Sequence, residues 1–383
     1  MCENDSTPFM RPMTGNERAG VCGFRTLDDV ELMLATIRRS VPAVVIGGGL
    51  LGIEAAAALQ LRGADVTLLH RVPVLMERQL DATASDLLCD SLRARGIACE
   101  TDVQVVALHG DEKGVTAVAL ADGRTIPTGL VVVTAGVIPA SQLARYCGLP
   151  CNRGVLVDGQ LQTADPYISA IGECCELNGE TFGLVAPCFT HAALVAQRLA
   201  GHTPKDYQRE QAATRLKVTG IGVVSGGDIN VAPDDEVYTL FDPQTQHYRR
   251  LLLRDGRLSG VLLYGDTDDS QRLLAAMEST TAGEMIPPAS LLFGLSSPDS
   301  DPQPEAVRIP VMSKPILVVV GHGMVGHYFL EQLVERQLHL HYQIVVFGEE
   351  RLPAYDRVHL SEYFAGRSAE SLSLVKPDFF ATS

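Results

Sequence analysis

Short apolar runs that end at glycine, each followed by a helical stripe, recur along this chain. Thr26 stands as an N-cap before Leu27, Val30, Leu34 and Ile37, which share one helical face until Pro42 interrupts the pattern. Ala43–Ile46 then reads as a buried strand, Leu50–Leu61 as a helix and Val66–Leu69 as a second strand. That order makes the strands parallel, because a crossover returns the chain to the same end of the sheet. Leu87, Leu88 and Leu92 lie on one face of a further helix closed by Gly96. Strands follow at Gln104–Leu108, Val115–Leu120 and Leu130–Val133, with a turn at Asp122-Gly123.

Beyond Gly154 the pattern predicts a strand at Val155–Val157, another at Ile168–Ile171 and a helix over roughly His191–Leu199. Val218–Val224, Val237–Phe241 and Gly260–Tyr264 alternate with glycine turns, Asp255-Gly256 among them. They predict a small antiparallel sheet with Asp269–Ser279 as a helix packed on it. Residues 295–313, rich in Pro, Ser and Asp, read as a linker. After it, Pro315–Val320, a turn at Gly321–Gly326, a helix to about Leu338 and a strand at Gln343–Phe347 form a second β-α-β unit.

Each β-α-β unit carries G-x-G-x-x-G at its first turn: Gly47, Gly49 and Gly52 in one, Gly321, Gly323 and Gly326 in the other. The first glycine permits the tight turn, the second lets backbone approach a pyrophosphate, and the third lets the helix pack on the sheet. Free N–H groups and the positive dipole end of the helix then face the phosphates. The alternative is glycine-permitted close packing without a ligand. An acidic residue at the end of the second strand would hold the adenine ribose hydroxyls. His70 and Arg71 stand there instead, either as acceptors of a 2′-phosphate or as a solvent-facing pair, so the cofactor is read as NAD(P)H. Two such units predict two dinucleotides, hence a flavin receiving electrons from a nicotinamide.

Composition narrows the partners. The chain has 383 residues, 46% of them apolar and 20% charged, with net charge −15. These values suit a soluble protein and argue against nucleic acid or anionic membrane as partners. Residues 1–13 lack the pattern of a signal peptide, and Val41–Leu61 reads as strand, turn and helix rather than a membrane span. A cytoplasmic location is expected. The nine cysteines include no C-x-x-C and no zinc spacing. Cys147-x-x-x-Cys151 has no companion pair for a cluster, and Cys174-Cys175 are poorly disposed to bond each other. No disulfide framework, metal site or Ser/His/Asp set is expected, and no residue is assigned a catalytic role.

Several strings resemble flavoprotein reductases of the FAD/NAD(P)-dependent pyridine nucleotide-disulfide oxidoreductase type. They resemble more closely the FAD/NAD-linked part of assimilatory NAD(P)H nitrite reductase large subunits and nitrate reductase electron-transfer subunits. The strings are Phe24–Val30, Gly47–Glu54, Leu75–Asp81, Thr134–Pro139, Ile171–Cys174, Phe182–Pro187, Gly321–Gly326 and Ala354–Ser361. The resemblance implies an α/β Rossmann-type fold for two dinucleotides, a small α+β C-terminal interface domain, and an extra β-α-β unit. It divides the chain into an FAD-domain remnant (1–39), an NAD(P)-binding domain (40–140) and an FAD-domain return segment (141–210). The interface domain (211–294), the linker and an FAD-domain N-terminal unit (314–383) follow.

The same resemblance puts Glu173, with Gly172, near the ribityl hydroxyls, Arg357 near the flavin phosphates, and Glu349 or Glu350 on the FAD ribose. Glu54 and Gly136 join the cofactor-binding set. The chemistry it implies is hydride transfer from nicotinamide C4 to flavin N5, then single electrons to a siroheme, iron–sulfur or molybdenum-type partner on another polypeptide or a missing part. A second copy of the chain is a further expected partner. The order is reversed, since the FAD turn opens the chain in that family and comes last here. Circular permutation is one explanation. Two adjacent genes read as one is the other and, on sequence order, the favoured one. Three rival readings are an NAD(P)-binding fragment or fusion product without turnover, a disulfide reductase (which lacks its cysteine pair), and a 2-hydroxy-acid dehydrogenase.

Overall fold

The computed structural model describes residues 7–8, 14–37, 41–134, 136–208, 213–218, 220–278, 314–377 and 379–382. The expected linker, 295–313, and the end of the expected interface domain lie outside the described residues.

From the N-terminal side the elements are β1 (Thr7–Pro8), β2 (Val21–Cys22), α1 (Leu27–Ile37), β3 (Ala43–Ile46), α2 (Leu50–Leu61), β4 (Val66–Leu69), α3 (Ala82–Ala94) and β5 (Ile97–Glu100). An antiparallel meander, β6 (Val105–Asp111), β7 (Gly114–Leu120) and β8 (Thr125–Pro127), leads to β9 (Leu130–Val133) and β10 (Val137–Ile138). One sheet has the order β2-β9-β3-β4-β5 with every pair parallel. Its strands are apolar runs because helices cover a parallel sheet. Val30 and Met33 of α1 and Ile53, Ala56 and Leu59 of α2 are buried in that core. At the start of α1, Asp29 accepts the Thr26 N–H (3.1 Å) while Thr26 Oγ1 accepts the Asp29 N–H (3.2 Å). This reciprocal cap fixes the entry of the chain.

Next come α4 (Gln142–Tyr146), β11 (Val155–Val157), β12 (Cys175–Leu177), β13 (Glu180–Thr181) and α5 (Val185–Leu199). The strand expected at Ile168–Ile171 is absent. Those residues form a loop closed by a single bridge, Gln162 to Ser169, where Thr163 Oγ1 donates to the Ile168 carbonyl (3.0 Å). Helix α5 begins six residues earlier than its apolar pattern indicates, because Pro187 sits in the first turn, where proline needs no N–H partner.

Five antiparallel strands follow: β14 (Thr214–Val218), β15 (Ile221–Gly227), β16 (Glu236–Asp242), β17 (His247–Arg254) and β18 (Arg257–Tyr264), in the order β14-β15-β18-β17-β16. Helix α6 (Ser270–Glu278) packs on them. Asp255 and Gly256 both have positive φ (53° and 71°), the geometry of a tight hairpin turn. This sheet docks on α3: Tyr248 Oη donates to Asp81 (2.6 Å), Arg250 pairs with the same carboxylate (2.9 Å), and Tyr264 Oη donates to the Leu87 carbonyl (3.0 Å).

The last unit is β19 (Ile316–Val320), α7 (Met324–Glu335) and β20 (Gln343–Phe347), with β19 and β20 parallel, followed by α8 (Leu360–Phe364), α9 (Ala369–Leu372) and α10 (Phe379–Thr382). Helix α7 packs on α5. Val319, Val325, Phe329 and Leu333 share one core with Ile171, Cys175, Cys188 and Val195. Leu360 and Phe364 of α8 enter the other core beside Phe24 and Leu27, with the Phe24 and Phe364 rings 6.1 Å apart. No described helix is long and apolar enough to cross a membrane.

Candidate functional site

The two glycine turns have matching geometry. Gly47 (φ 120°) and Gly321 (φ 102°) turn the chain out of β3 and β19. Each donates its N–H to the last carbonyl of the neighbouring strand, Leu69 (2.9 Å) and Phe347 (2.7 Å). Gly49 and Gly323 are the N-caps of twelve-residue helices, and neither helix start has a side-chain cap. Amide groups of the first turn of α2 and α7 are therefore open to an anion.

The first turn separates the three glycine roles. A Cβ on Gly52 would lie 1.7 Å from the Gly47 carbonyl oxygen, and one on Gly47 would lie 2.8 Å from the Thr134 carbonyl. A Cβ on Gly49 would meet nothing within 4 Å. The space in front of Gly49 is the cradle that a pyrophosphate needs. Thr134, at the end of β9, donates to the Ile46 (3.2 Å) and Gly47 (3.1 Å) carbonyls and fixes the turn from the other side. Gly136 follows with φ 111°.

The structure separates His70 from Arg71. His70 turns inward: its Nδ1 accepts the Gly48 N–H (2.9 Å) and its Nε2 donates to the Val74 carbonyl (3.1 Å). These bonds fix the neutral tautomer and brace the glycine turn. Arg71 is exposed and remains the candidate for a 2′-phosphate. Glu54, one turn into α2, is largely buried. Burial pushes its carboxyl up to about 7, and the nearby His359 opposes the shift. The native chain thus retains a proton that the unfolded chain releases, so this site costs stability as pH rises from the ordinary value of 4.5 to about 7. Glu54→Gln is expected to stabilise the cofactor-free protein by on the order of 2 kcal/mol at pH ~8 and not at pH ~4. Urea melts at the two pH values measure this.

At the second turn, His322 Nε2 and His327 Nδ1 are buried without a hydrogen-bond partner among the described residues. Burial lowers both imidazoles from their ordinary range. The two rings pack edge to face on each other (5.8 Å), His322 on Phe380 (5.5 Å) and His327 on Phe379 (4.9 Å), so an aromatic cluster covers them. The two acidic candidates also part. Glu350 accepts from Tyr355 Oη (2.7 Å) and pairs with Arg357, whose guanidinium lies over the Tyr355 ring. Glu349 is exposed at the end of β20, where a ribose would lie. Arg357 is therefore held in a Glu350–Tyr355–Arg357 cluster, in which Tyr355 Oη also accepts the Leu27 N–H (3.3 Å).

Gly172 (φ 81°) donates its N–H to His191 Nδ1 (3.3 Å). His191 is fully buried between the edges of Phe182 and Tyr207, and burial pushes it down to about 4. Glu173 pairs with Arg25 at 2.5 Å, each side chain about 15% exposed. Sequence reasoning assigned no role to Arg25 or His191, because their partners lie 148 and 19 residues away. Arg25→Ala is expected to cost about 3 kcal/mol by taking the guanidinium from a mostly buried carboxylate, with much of the loss recovered in the Arg25→Ala/Glu173→Gln double variant. Denaturant melts of the two single variants and the double variant give the coupling. Among the described residues, no group of three or more His, Cys, Asp or Glu side chains is disposed to hold a metal.

Residues 6–197 match the pyridine nucleotide-disulphide oxidoreductase family, and residues 213–281 match the rubredoxin NAD+ reductase C-terminal domain. The chain is 39% identical to an NAD(P)H nitrite reductase of Bacillus subtilis over 273 residues, covering 71% of this chain and 34% of that protein. It is 37% identical to the assimilatory nitrate reductase electron transfer subunit of the same organism, covering 71% of this chain and 35% of that protein. The chain thus spans about a third of the length of these relatives. Among solved structures, a ferredoxin reductase from Rhodopseudomonas palustris superposes with TM-score 0.62 at 29% identity, covering 70% of this chain and 66% of that one. An NAD-dependent persulfide reductase from A. fulgidus shares the fold with TM-score 0.65 at 19% identity, covering 90% of this chain and 77% of that one.

Proposed function

Because the chain belongs to the pyridine nucleotide-disulphide oxidoreductase family, which binds FAD and NAD(P)H, we propose that it passes electrons from NAD(P)H through FAD to a redox partner of nitrite or nitrate assimilation. One observation carries the reading. The unit with the second glycine turn shares its core with the segment bearing Gly172 and Glu173, so segments far apart in sequence pack into one unit. Sequence order alone favours two genes read as one. The common core instead supports a permuted reductase that assembles within a single chain.

In this reading the Leu50–Gly52 amides hold the nicotinamide diphosphate and the Met324–Gly326 amides hold that of FAD. Glu349 takes the FAD ribose, Glu173 faces the ribityl chain, and Arg71 meets the adenosine end of the nicotinamide cofactor. FAD held there would supply the redox chemistry, namely hydride acceptance at N5 from nicotinamide C4 and release of single electrons. The partner would carry a siroheme, iron–sulfur or molybdenum-type centre. A cytoplasmic location and a second copy of the chain fit the same reading.

A second reading, a nucleotide-binding fragment without turnover, draws on the sheet face of the last unit. Ile316, Val318 and Phe347 are 64%, 44% and 58% exposed, a face that a complete flavin half would cover. Purified chain incubated with FAD and freed of excess by gel filtration separates the two. Bound flavin at one per chain, bleached anaerobically by NADH or NADPH, supports the reductase. A colourless chain that still binds NAD(P)H supports the fragment.

A further inference from the structure

We propose that Cys89 and Cys99 are a redox modification site, a thiol pair that a hydroperoxide closes to a disulfide. Cys89 lies on the buried face of α3 and Cys99 in β5, with their sulfurs 3.2 Å apart. Only Arg95 and Gly96 separate the helix from the strand, and Gly96 (φ 84°) makes the turn. The two residues are therefore held face to face by a tight, ordered connection. A disulfide of about 2.05 Å requires the sulfurs to close by roughly one ångström, which side-chain rotation supplies.

Across this contact either thiol can donate to the other. Arg93 lies near Cys89 and favours its thiolate, while burial, Asp86 and Asp90 oppose this. Arg93 is fixed by a bond to the Cys99 carbonyl (3.1 Å) and a pair with Asp90 (3.2 Å). The thiolate of either residue can serve as the attacking sulfur. Cys174 and Cys175 are arranged differently, each donating to a backbone carbonyl, Ile171 (3.2 Å) and Gly172 (3.1 Å).

Both thiols are about 5% exposed. The site nevertheless lies at the rim of the domain: β5 is the edge strand of its sheet, and Cys89 stands within the last two turns of α3. A small peroxide needs only a brief local opening at this rim, whereas a bulky disulfide reagent needs a much larger one. One thiolate of the pair attacks one peroxide oxygen, breaking the O–O bond and giving a sulfenic acid and hydroxide. The other sulfur, giving up its proton, then displaces the sulfenic oxygen as water. Overall, two thiols and one hydrogen peroxide give one disulfide and two waters, with two electrons passing from sulfur to oxygen. The new bond fastens α3, on which β17 and β18 dock, to the sheet beside the nicotinamide turn.

The test uses the full chain and hydrogen peroxide, followed by alkylation and peptide mass mapping. The expected result is a cross-linked species joining Cys89 and Cys99, lighter by two hydrogens and reversed by dithiothreitol. The oxidised protein should also melt a few degrees above the reduced one, and Cys89→Ser and Cys99→Ser should each abolish both effects. Recovery of both residues fully alkylated after peroxide has consumed the exposed Cys147 would overturn the proposal. So would Cys89 as a sulfinic acid beside a free Cys99, and the mapping on unmutated protein decides even if a variant fails to fold.

Discussion

Gly49→Val is expected to weaken NAD(P)H binding by roughly a hundredfold or more while leaving the fold intact. A Cβ at Gly49 meets nothing within 4 Å, so the new side chain starts in the open space in front of α2. The helix-start amides then lose charge-assisted hydrogen bonds of about 1.5–3 kcal/mol and part of a dipole interaction of about 0.3–1 kcal/mol. Gly52→Ala is the informative contrast. Its Cβ would lie 1.7 Å from the Gly47 carbonyl oxygen, so the turn itself must break and stability falls with binding. Calorimetric titration with NADPH and a denaturant melt on each variant separate the two effects. Unchanged nucleotide affinity in a folded Gly49→Val protein would remove the basis for the nicotinamide site.

The parts of this arrangement that were legible in the sequence are those set by local periodicity. Leu50–Leu61, Val66–Leu69, Leu130–Val133 and Gln343–Phe347 fall where their apolar patterns put them. Buried parallel strands are continuous apolar runs, and the glycine spacing marks each turn directly. Strand β17 escaped, because His-Tyr-Arg-Arg-Leu-Leu-Leu-Arg does not alternate; its arginines reach Asp81 and Asp269 on other elements. Ile168–Ile171 has a strand-like composition, but side-chain bonds from Thr163 and the proline at 166 hold it as a loop. The site shows the same division. Glycine roles follow from chain geometry, whereas the inward turn of His70 depends on Gly48 and Val74 together. The Arg25–Glu173 pair joins segments whose proximity only the tertiary fold creates.

Chain order is where local pattern had least to say, and Phe329→Ala tests what the core adds. Phe329 is fully buried in α7, in a core that also contains Ile171, Cys188, Ala192 and Val195 from the segment 141–210. Removing the ring should cost about 3–5 kcal/mol. If the two segments form one cooperative unit, that loss is felt by both. Amide exchange should therefore accelerate in α5 as well as in α7, and FAD retention should fall with it. Residues 40–140 draw mainly on a different core, through Val45, Ile53 and Leu68, which the last unit enters only through Tyr355, Leu360, Phe364 and Leu372, and their exchange should change less. Faster exchange confined to residues 314–383 would mean that the last unit folds by itself. The middle and last segments would then not build one flavin site, and the account of two genes read as one would regain its advantage.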